Sequence, residues 1–262
     1  MAVETAAISP TRWGECEIRG PVHLVRERLL LRLFQSMLVD GRILDAGCGS
    51  GSLALDLCRA GYQVDGVEFS EEFVGFVEER IGQLGLAERL KIKQSSVTQL
   101  DFEDGCFDGL ICGEVLEHVT SEQGGDKKAV EEFFRVLKPG APCVASVPLN
   151  PGLWDHSDEW ARHVKRYTRE GFVQLFDQCG FEVEKTRVWG FPLGRIYHRS
   201  LFAPWLRKTS GQEMDTREER LDTRAGRHPL LVKLVAGILR FDEFFSLWPW
   251  GRGIVLCARR RA

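Results

Sequence analysis

A glycine-rich turn is the first segment of this sequence that could do chemistry. Positions 45–51 read Asp-Ala-Gly-Cys-Gly-Ser-Gly, between a short apolar stretch and a helix-forming segment that starts near Ser52. Glycines let a backbone approach a ligand where a Cβ atom would clash. A helix that begins there directs amide N–H groups and a partial positive charge at the same place, which favours a carboxylate or phosphate. The turn therefore predicts a site for a polar or anionic cofactor.

An acidic residue ends the next predicted strand. Glu68 closes the segment Val-Asp-Gly-Val-Glu, and a carboxylate at this point can accept hydrogen bonds from both ribose hydroxyls of a nucleoside. The glycine turn and the acidic strand end together indicate a cofactor site more specifically than either feature alone. They predict a cofactor that contains a nucleoside.

An alternation of strands and helices must position these residues. Strand-like segments occur at residues 42–45, 63–68, 90–93, 109–112, 143–148, 181–189 and 253–259, and helical segments at 21–39, 52–60, 71–84, 127–137 and 169–179, the last capped by Thr168. The helix at 71–84 is predicted to turn Phe73, Phe76, Val77, Ile81 and Leu84 inward. This order is typical of an α/β protein with a parallel, doubly wound sheet.

In order and spacing, these features resemble the class I S-adenosylmethionine-dependent methyltransferases over residues 43 to about 185, including the type 11/12 and ubiquinone-pathway enzymes. The family's cofactor loop matches positions 45–51, and its acidic residue after the second strand matches Glu68. Residues 100–108 look like its LPFxxxxFD segment, and residues 135–140 resemble its turn before the fifth strand. The resemblance implies a Rossmann-like, doubly wound sheet of about seven strands, with the last strand antiparallel and a helical insertion before it.

The resemblance also implies that S-adenosyl-L-methionine is the cofactor, with its methionine end over the glycine turn and its ribose on Glu68. Many relatives bind the adenine through an Asp near position 96, where this chain has Ser96, which could bond the ring, and Val97, which could pack on it. The implied cofactor contacts are Asp45, Gly47, Cys48, Gly49, Gly51, Glu68, Phe69, Ser96, Val97, Gly113 and Glu114.

Three histidines are candidates for a general base. An activated sulfonium methyl needs mainly an aligned acceptor, but a hydroxyl acceptor would gain from a base, and histidine titrates near neutrality. His118 is the predicted catalytic residue because it lies just beyond the fourth strand, where acceptors enter doubly wound folds. A packing role for His118 stays open.

The stretch at residues 154–168 resembles the family's HxxRY segment, which implies an acceptor side formed by His156, His163, Arg166 and Tyr167. Its aromatic and basic side chains would suit a planar or anionic acceptor.

A metal site is the alternative use of the segment after the fourth strand. Glu114, Glu117 and His118 fall at i, i+3 and i+4, which would place them on one helical face. The same positions can hold a metal in the ubiquinone-pathway enzymes. We predict no metal, because two carboxylates beside a histidine are commonly just solvated.

The chain is predicted to divide into an N-terminal helical segment (1–40), a cofactor-binding core (41–190), a helical insertion or lid (191–250) and a last strand with a basic C-terminus (251–262). In the insertion, a charged link at 213–227 precedes apolar residues at near-helical spacing, Leu230, Leu231, Leu234, Ile238, Phe241, Phe244 and Phe245. Three interpretations are open: packing on the protein's own core, a lid over the acceptor, or peripheral contact with a membrane interface.

Composition narrows the class of protein. Hydrophobic residues make up 44% and charged residues 28%, as in soluble globular proteins, and no uncharged run is long enough to span a bilayer. The eight scattered cysteines and the absence of a signal-peptide pattern predict reduced thiols and a cytoplasmic location. Residues 151–262 carry a net charge of about +6 and the first 150 about −9.

A small-molecule acceptor is predicted and a nucleic-acid partner is not, because the sequence has an acidic balance and no base-flipping motif. Two other functions are weighed. A non-catalytic S-adenosylmethionine-binding regulator would keep the same glycine turn. An NAD-dependent oxidoreductase would prefer GxGxxG, whereas Ser52 stands at the third glycine position. The acceptor's identity, the methylated atom and the oligomeric state are not specified by these patterns.

Overall fold

The computed structural model describes residues 20–209 and 229–262. Within them, seven strands form one mixed sheet: β1 (Arg42–Ala46), β2 (Gln63–Glu68), β3 (Leu90–Gln94), β4 (Gly109–Gly113), β5 (Pro142–Pro148), β6 (Phe181–Trp189) and β7 (Gly253–Arg260). Their order is β3-β2-β1-β4-β5-β7-β6; the first five are parallel, and β7 runs antiparallel between β5 and β6. The predicted Rossmann-like sheet with an antiparallel last strand is confirmed.

Helices cover both faces of the sheet. They are α1 (Pro21–Gln35), α2 (Ser52–Arg59), α3 (Glu71–Leu84), α4 (Gly125–Val136), α5 (His156–Ala161), α6 (Arg169–Gln178), α7 (Leu193–Tyr197), α8 (Ala203–Thr209) and α9 (Pro229–Leu239). Short 3₁₀ turns lie at Leu116–His118, Ser121–Gln123, Pro151–Leu153 and Arg240–Phe245, and a π-helical turn lies at His198–Phe202. Thr168 caps α6 as predicted, because its hydroxyl accepts the N–H of Gly171.

Two hydrophobic clusters fill the space between sheet and helices. Alternate residues of a strand point to opposite faces, so Leu44 of β1 joins the cluster with α4 and α6, whereas Ile43 joins the cluster with α1, α2 and α3. On α3, Val77 and Ile81 are buried as predicted. The inward prediction is wrong for Leu84, which is 49% exposed, because the helix ends there and Leu86 packs on the core after the turn.

The chain between β6 and β7 contains α7, α8 and α9, and the predicted charged link lies outside the described residues. Helix α9 packs beside α1 through Ala236 and Leu239, which form a third cluster with Val25. Packing on the core is the wrong interpretation for most of the apolar stripe. Five of its residues are 51–82% exposed, because the small side chain of Ala236 faces α1 and the bulky ones face away: Leu230, Leu234, Ile238, Phe241 and Phe244.

The strand order reverses between β1 and β4, which are hydrogen-bonded neighbours. In open sheets of this kind, a crevice forms at the carboxyl ends of the strands beside such a reversal. The glycine turn follows β1, Glu68 ends β2, and the Glu114–His118 stretch follows β4, so all three meet at this edge.

Candidate functional site

The glycine turn (residues 45–51) has three glycines in the left-handed region of backbone space, with φ of 78° at Gly47, 52° at Gly49 and 74° at Gly51. A Cβ atom on Gly47 would come within 2.4 Å of Val115, so the turn packs tightly on the loop after β4. A Cβ atom on Gly49 would meet nothing within 4 Å among the described residues. Space for a ligand is therefore open above Gly49.

The turn was expected to direct unpaired backbone N–H groups at a ligand, but three of its N–H groups have acceptors within the protein. The Gly47 N–H donates to Val67, the Gly49 N–H donates to the Glu68 carboxylate at 2.9 Å, and the Gly51 N–H donates to Cys48. The turn thus provides space for a ligand, but these three donors already have acceptors within the protein. Cys48 is buried and packs beside Gly66, where an added Cβ would meet its sulfur at 3.0 Å.

Glu68 is held by the backbone around it. Its Oε2 accepts the Gly49 N–H, and its Oε1 accepts the N–H groups of Phe69 and Ser70 at 2.9 and 3.0 Å. This network fixes the carboxylate beside the open space above Gly49. The ring of Phe69 is 65% exposed at the rim.

Three carboxyl groups, Glu27, Asp45 and Glu68, form a carboxyl cluster beside the turn. Asp45 is fully buried, and its Oδ2 has no hydrogen-bond partner among residues 20–209 and 229–262. Burial, and then the negative charges of Glu27 and Glu68, raise the pKa of Asp45 to about 8. Three carboxyl groups so close together favour a cation at the site.

Sequence reasoning did not single out the residues that α1 brings to this edge. Glu27 accepts a hydrogen bond from the Ser52 hydroxyl and pairs with His23 at 2.8 Å. Arg26 lies 3.6 Å from Glu114, and its Nε has no hydrogen-bond partner within the described part of the chain. The signal was present as polar residues at i, i+3 and i+4, but a sequence alone does not say which side of α1 meets the site.

The predicted adenine residues lie after β3. Val97 is buried in the cluster on the α4 side of the sheet, and the Ser96 hydroxyl bonds that of Thr98 at 2.8 Å.

Glu114 does not share a helical face with Glu117 and His118. It follows Gly113 with a left-handed φ of 59°, and its carboxylate accepts the Ser146 hydroxyl at 2.9 Å. The 3₁₀ turn begins only at Leu116, so the alternative metal site of Glu114, Glu117 and His118 does not form on one helical face.

A different residue, His163, completes the group around Glu117. Glu117 is fully buried, and its Oε1 lies 4.0 Å from Nε2 of His118 and 3.9 Å from Nε2 of His163. The two imidazole rings meet edge to face, 4.9 Å apart. Burial, and then the charge of Glu114, raise the pKa of Glu117 well above its usual range. We call these three residues the His–Glu cluster.

The His–Glu cluster has two chemical uses. Its three ligating atoms lie within 4.8 Å of one another, a spacing and donor set that suit a divalent metal. Two imidazoles beside a buried carboxyl can equally take up a proton from a bound molecule.

Asp158 orients the His163 ring of the His–Glu cluster. It is fully buried and bonds Nδ1 of His163 at 2.9 Å and Nε of Arg166 at 2.7 Å. Burial opposes ionisation, but these two hydrogen bonds lower the pKa of Asp158. The bond to Nδ1 directs Nε2 of His163 toward Glu117. Asp158 was missed because nothing local distinguishes it from the other acidic residues of its loop.

The other predicted acceptor residues are placed differently. Arg166 and Tyr167 are buried; Arg166 bonds the Leu149 carbonyl, and the Tyr167 hydroxyl lies 2.8 Å from the Asp126 carboxylate. Both hold the loop after β5, and both also line a surface cavity beside Asp126 and Lys165, so their acceptor-lining role stays a prediction. His156 is half exposed beside Glu159, at 3.6 Å. Only His163 of the four belongs to the His–Glu cluster.

Comparisons with known proteins identify the family to which the chain is similar. A family model described as "Methyltransferase domain" matches residues 44–145. The S-adenosyl-L-methionine-dependent Diels-Alderase iccD of Talaromyces variabilis is 31% identical over 222 residues, 76% of this chain and 73% of that protein. The ubiquinone biosynthesis O-methyltransferase of Alkalilimnicola ehrlichii is 32% identical over 143 residues, 52% of this chain and 54% of that protein.

The fold is similar to that of phosphoethanolamine N-methyltransferase 2 of Haemonchus contortus, solved in complex with S-adenosyl-L-methionine. The TM-score is 0.64 at 18% identity, over 96% of this chain and 56% of that one.

Proposed function

The chain belongs to the class I S-adenosylmethionine-dependent methyltransferases, and we propose that it methylates a hydroxyl or amine of a small-molecule acceptor between the glycine turn and the His–Glu cluster. When bound, S-adenosyl-L-methionine supplies a sulfonium methyl group that is already activated for in-line attack. The observation that carries the proposal is the contact between the two parts of the site: Gly47 packs on Val115, three residues before His118.

The residues beside the glycine turn fit this cofactor. The open space above Gly49 would accept its methionine end, and the fixed Glu68 carboxylate can still accept hydrogen bonds from ribose hydroxyls. Exposed Phe69 can cover the adenine ring, with Ser96 and Val97 behind it.

The charge of the site supports the same assignment. S-adenosyl-L-methionine carries an ammonium and a sulfonium cation, and the carboxyl cluster of Glu27, Asp45 and Glu68 brings three acidic groups together beside the glycine turn. A bound cation would lower the pKa of Asp45 from about 8 and favour its ionised form. Cofactor binding is therefore expected to release a proton from Asp45 near pH 7.

On the acceptor side, we assign His118 as the general base. Its Nδ1 lies 3.3 Å from the Arg162 carbonyl, which as an acceptor selects the tautomer with the proton on Nδ1 and leaves Nε2 basic. His118 is the more exposed of the two histidines, so it can reach an acceptor, while His163 and buried Glu117 help to hold the proton. The O-methyltransferase named among the relatives supports a hydroxyl as the group that loses this proton.

The helical insertion at 191–250 would cover the acceptor side, in line with the predicted division of the chain. Asn150, directly after β5, donates from Nδ2 to the carbonyls of Pro249 and Gly251 at 3.0 and 2.8 Å. His198 bonds Asp155 at 2.7 Å on the same loop. These bonds support a fixed cover at the edge of the site.

The Diels-Alderase relative suggests a second candidate function, catalysis of a pericyclic reaction. Such an enzyme would keep the same cofactor-binding fold but would transfer no methyl group. The His–Glu cluster favours methylation, because a proton acceptor has no evident use in a pericyclic step. A product that retains the methyl group of labelled cofactor supports methylation, and an unlabelled cyclised product supports the second candidate.

We place the enzyme in the cytoplasm because of its cysteines. The seven cysteines of the described residues are free, and five of them are buried in the core. Unpaired thiols in this number suit a reducing compartment.

The proposed function is tested by methyl transfer with the variant His118→Gln and the matched control His156→Gln, which alters an exposed histidine outside the cluster. Loss of a general base typically lowers the rate about 10²- to 10⁴-fold. We expect such a fall in kcat for His118→Gln, with unchanged cofactor affinity, and wild-type kcat for His156→Gln. Wild-type kcat in the double variant His118→Gln/His163→Gln would contradict the assignment.

A further inference from the structure

The outer face of α9 and of the turn after it is apolar and open to solvent. Six bulky side chains spaced three or four residues apart form this docking face: Leu230, Leu234, Ile238, Phe241, Phe244 and Leu247. The inner face is already occupied, because Val232, Ala236 and Leu239 are buried against α1 and its neighbours. The docking face is therefore not a core surface that a small rotation of α9 would hide.

An apolar surface of this size is costly in water. Apolar area contributes about 25 cal/mol per Å² when it is removed from solvent, and soluble proteins rarely expose contiguous patches of several bulky residues without a partner. The segment at 210–228, which precedes α9, offers only Met214, Leu221 and Ala225 as apolar residues. Its composition makes it an unsuitable cover for six large side chains.

Charge around the docking face identifies the kind of partner. Exposed cations lie on the same helix and turn at Lys233 and Arg240, and Arg199, Arg207 and Lys208 are exposed in the helical segment before it in the chain. Among described residues 190–209 and 229–251, the acidic side chains are Asp242 and Glu243. Asp242 is buried and accepts the N–H groups of Leu193 and Gly194, and Glu243 pairs with Arg32 at 2.9 Å and with Arg240 at 3.7 Å. An apolar strip bordered by cations complements a bilayer with anionic headgroups.

Aromatic rings border the same face near the active site. Trp248 and Trp250 are 46 and 52% exposed and lie 5.3 Å apart, centroid to centroid. Phe245 lies 5.2 Å from Trp248. Amphipathic indole rings prefer the interface between water and hydrocarbon. Because Asn150 bonds the carbonyls on both sides of Trp250, these rings are fixed beside the loop after β5.

The geometry fits binding along a membrane surface. Among the described helices, none has the length and apolar character needed to cross a bilayer. Helix α9 has 11 residues and is about 16 Å long, so its apolar face can lie in the headgroup region with the helix axis parallel to the surface.

We propose that the docking face binds anionic membrane surfaces and brings the site to an amphiphilic acceptor whose hydroxyl or amine lies at headgroup level. The choice of acceptor rests on the proposed function; the membrane contact does not. Binding should weaken with added salt, because the surrounding cations contribute through screened charge.

The test is sedimentation of the full chain with vesicles of phosphatidylcholine alone or mixed with phosphatidylglycerol, without cofactor or acceptor. The variant Leu234→Gln/Phe244→Gln removes two residues of the docking face. Its matched control, Val39→Gln/Leu84→Gln, removes two exposed apolar residues elsewhere. We expect binding to the anionic vesicles, at least tenfold weaker for the first variant and unchanged for the control.

Light scattering on the same samples measures the mass of the protein and shows whether a second copy of the chain covers the docking face. A wild-type mass near 29.7 kDa leaves the docking face free for the bilayer. No binding to anionic vesicles, equal binding by both variants, or a wild-type dimer that only Leu234→Gln/Phe244→Gln makes monomeric would overturn the proposal. Calorimetry with S-adenosylhomocysteine keeps the two proposals apart, because a chain that binds vesicles but not this ligand contradicts only the proposed function.

Discussion

Two buried carboxyl groups, Asp45 and Glu117, lie on either side of the contact between Gly47 and Val115. Both have raised pKa values because they lie away from water near other acids, Glu27 and Glu68 for the first and Glu114 for the second. Perturbed groups of this kind are common at functional sites. Asp45 lies where a cation would be favoured, and Glu117 lies beside two histidines.

The raised pKa of Asp45 predicts a pH dependence of stability. An unfolded Asp ionises near pH 4, whereas folded Asp45 keeps its proton to about pH 8, so the folded state binds more protons in between. The free energy of unfolding should therefore fall as pH rises from about 4 to about 8, by at most about 1.4 kcal/mol per pH unit from this group. Asp45→Asn should flatten the slope in urea unfolding. An unchanged slope would show that Asp45 is ionised in the folded protein.

The His–Glu cluster should work without a metal. Burial raises the pKa of Glu117, which favours its neutral form, and a neutral carboxyl is a poor metal ligand. We expect methyl transfer to survive EDTA. Loss of activity in EDTA, with recovery on addition of Zn²⁺ or Mg²⁺, would assign Glu117, His118 and His163 as a metal centre instead.

How well single residues could be predicted depended on how local their signal is. The glycine turn and Glu68 stand out because their roles follow from neighbouring positions. His163 and Asp158 lie some 40 residues from His118 and reach it only through the loop after β5, so no local pattern pairs them. Glu114 was misplaced because helical spacing was assumed where the backbone is left-handed.

At the scale of elements, the bounds of the strands, and of the helices that pack on the sheet, were predicted within a few residues. Apolar periodicity and glycine turns mark these bounds in the sequence. Helix α9 shows where this reasoning stops. Its residues are apolar except for Lys233, so periodicity identifies a helix but not its buried face. The small side chain of Ala236 determines which face of α9 is buried, because it allows close approach to α1.

The orientation of α9 gives a prediction on stability. Ala236→Glu would place a charge in the contact with α1, and we expect a loss of about 3 kcal/mol and a fall in Tm of about 6–12 °C. Leu234→Glu makes a similar change on the exposed face and should move Tm by less than about 2 °C. Thermal unfolding of both variants checks this. The reverse order of the two Tm values would mean that α9 packs with its other face inward.

At the scale of the whole molecule, the sheet places the proposed cofactor and acceptor regions at one edge. The reversal of strand order between β1 and β4 opens the crevice, α1 closes it from one side, and the insertion borders it from the other. The fold could be predicted from the alternation of elements along the chain. The contribution of α1 and the exposure of the docking face could not, because both depend on packing between segments far apart in sequence.

Calorimetry on three alanine variants decides whether the space above Gly49 receives S-adenosyl-L-methionine. Gly49 and Gly85 have left-handed φ values of 52° and 65°, and an added Cβ meets nothing within 4 Å at either position. Gly49→Ala and Gly85→Ala should therefore cost similar stability, about 1 kcal/mol. We expect at least tenfold weaker cofactor binding for Gly49→Ala and for Glu68→Ala, and wild-type affinity for Gly85→Ala. Wild-type affinity in both Gly49→Ala and Glu68→Ala would mean that the cofactor does not bind above Gly49.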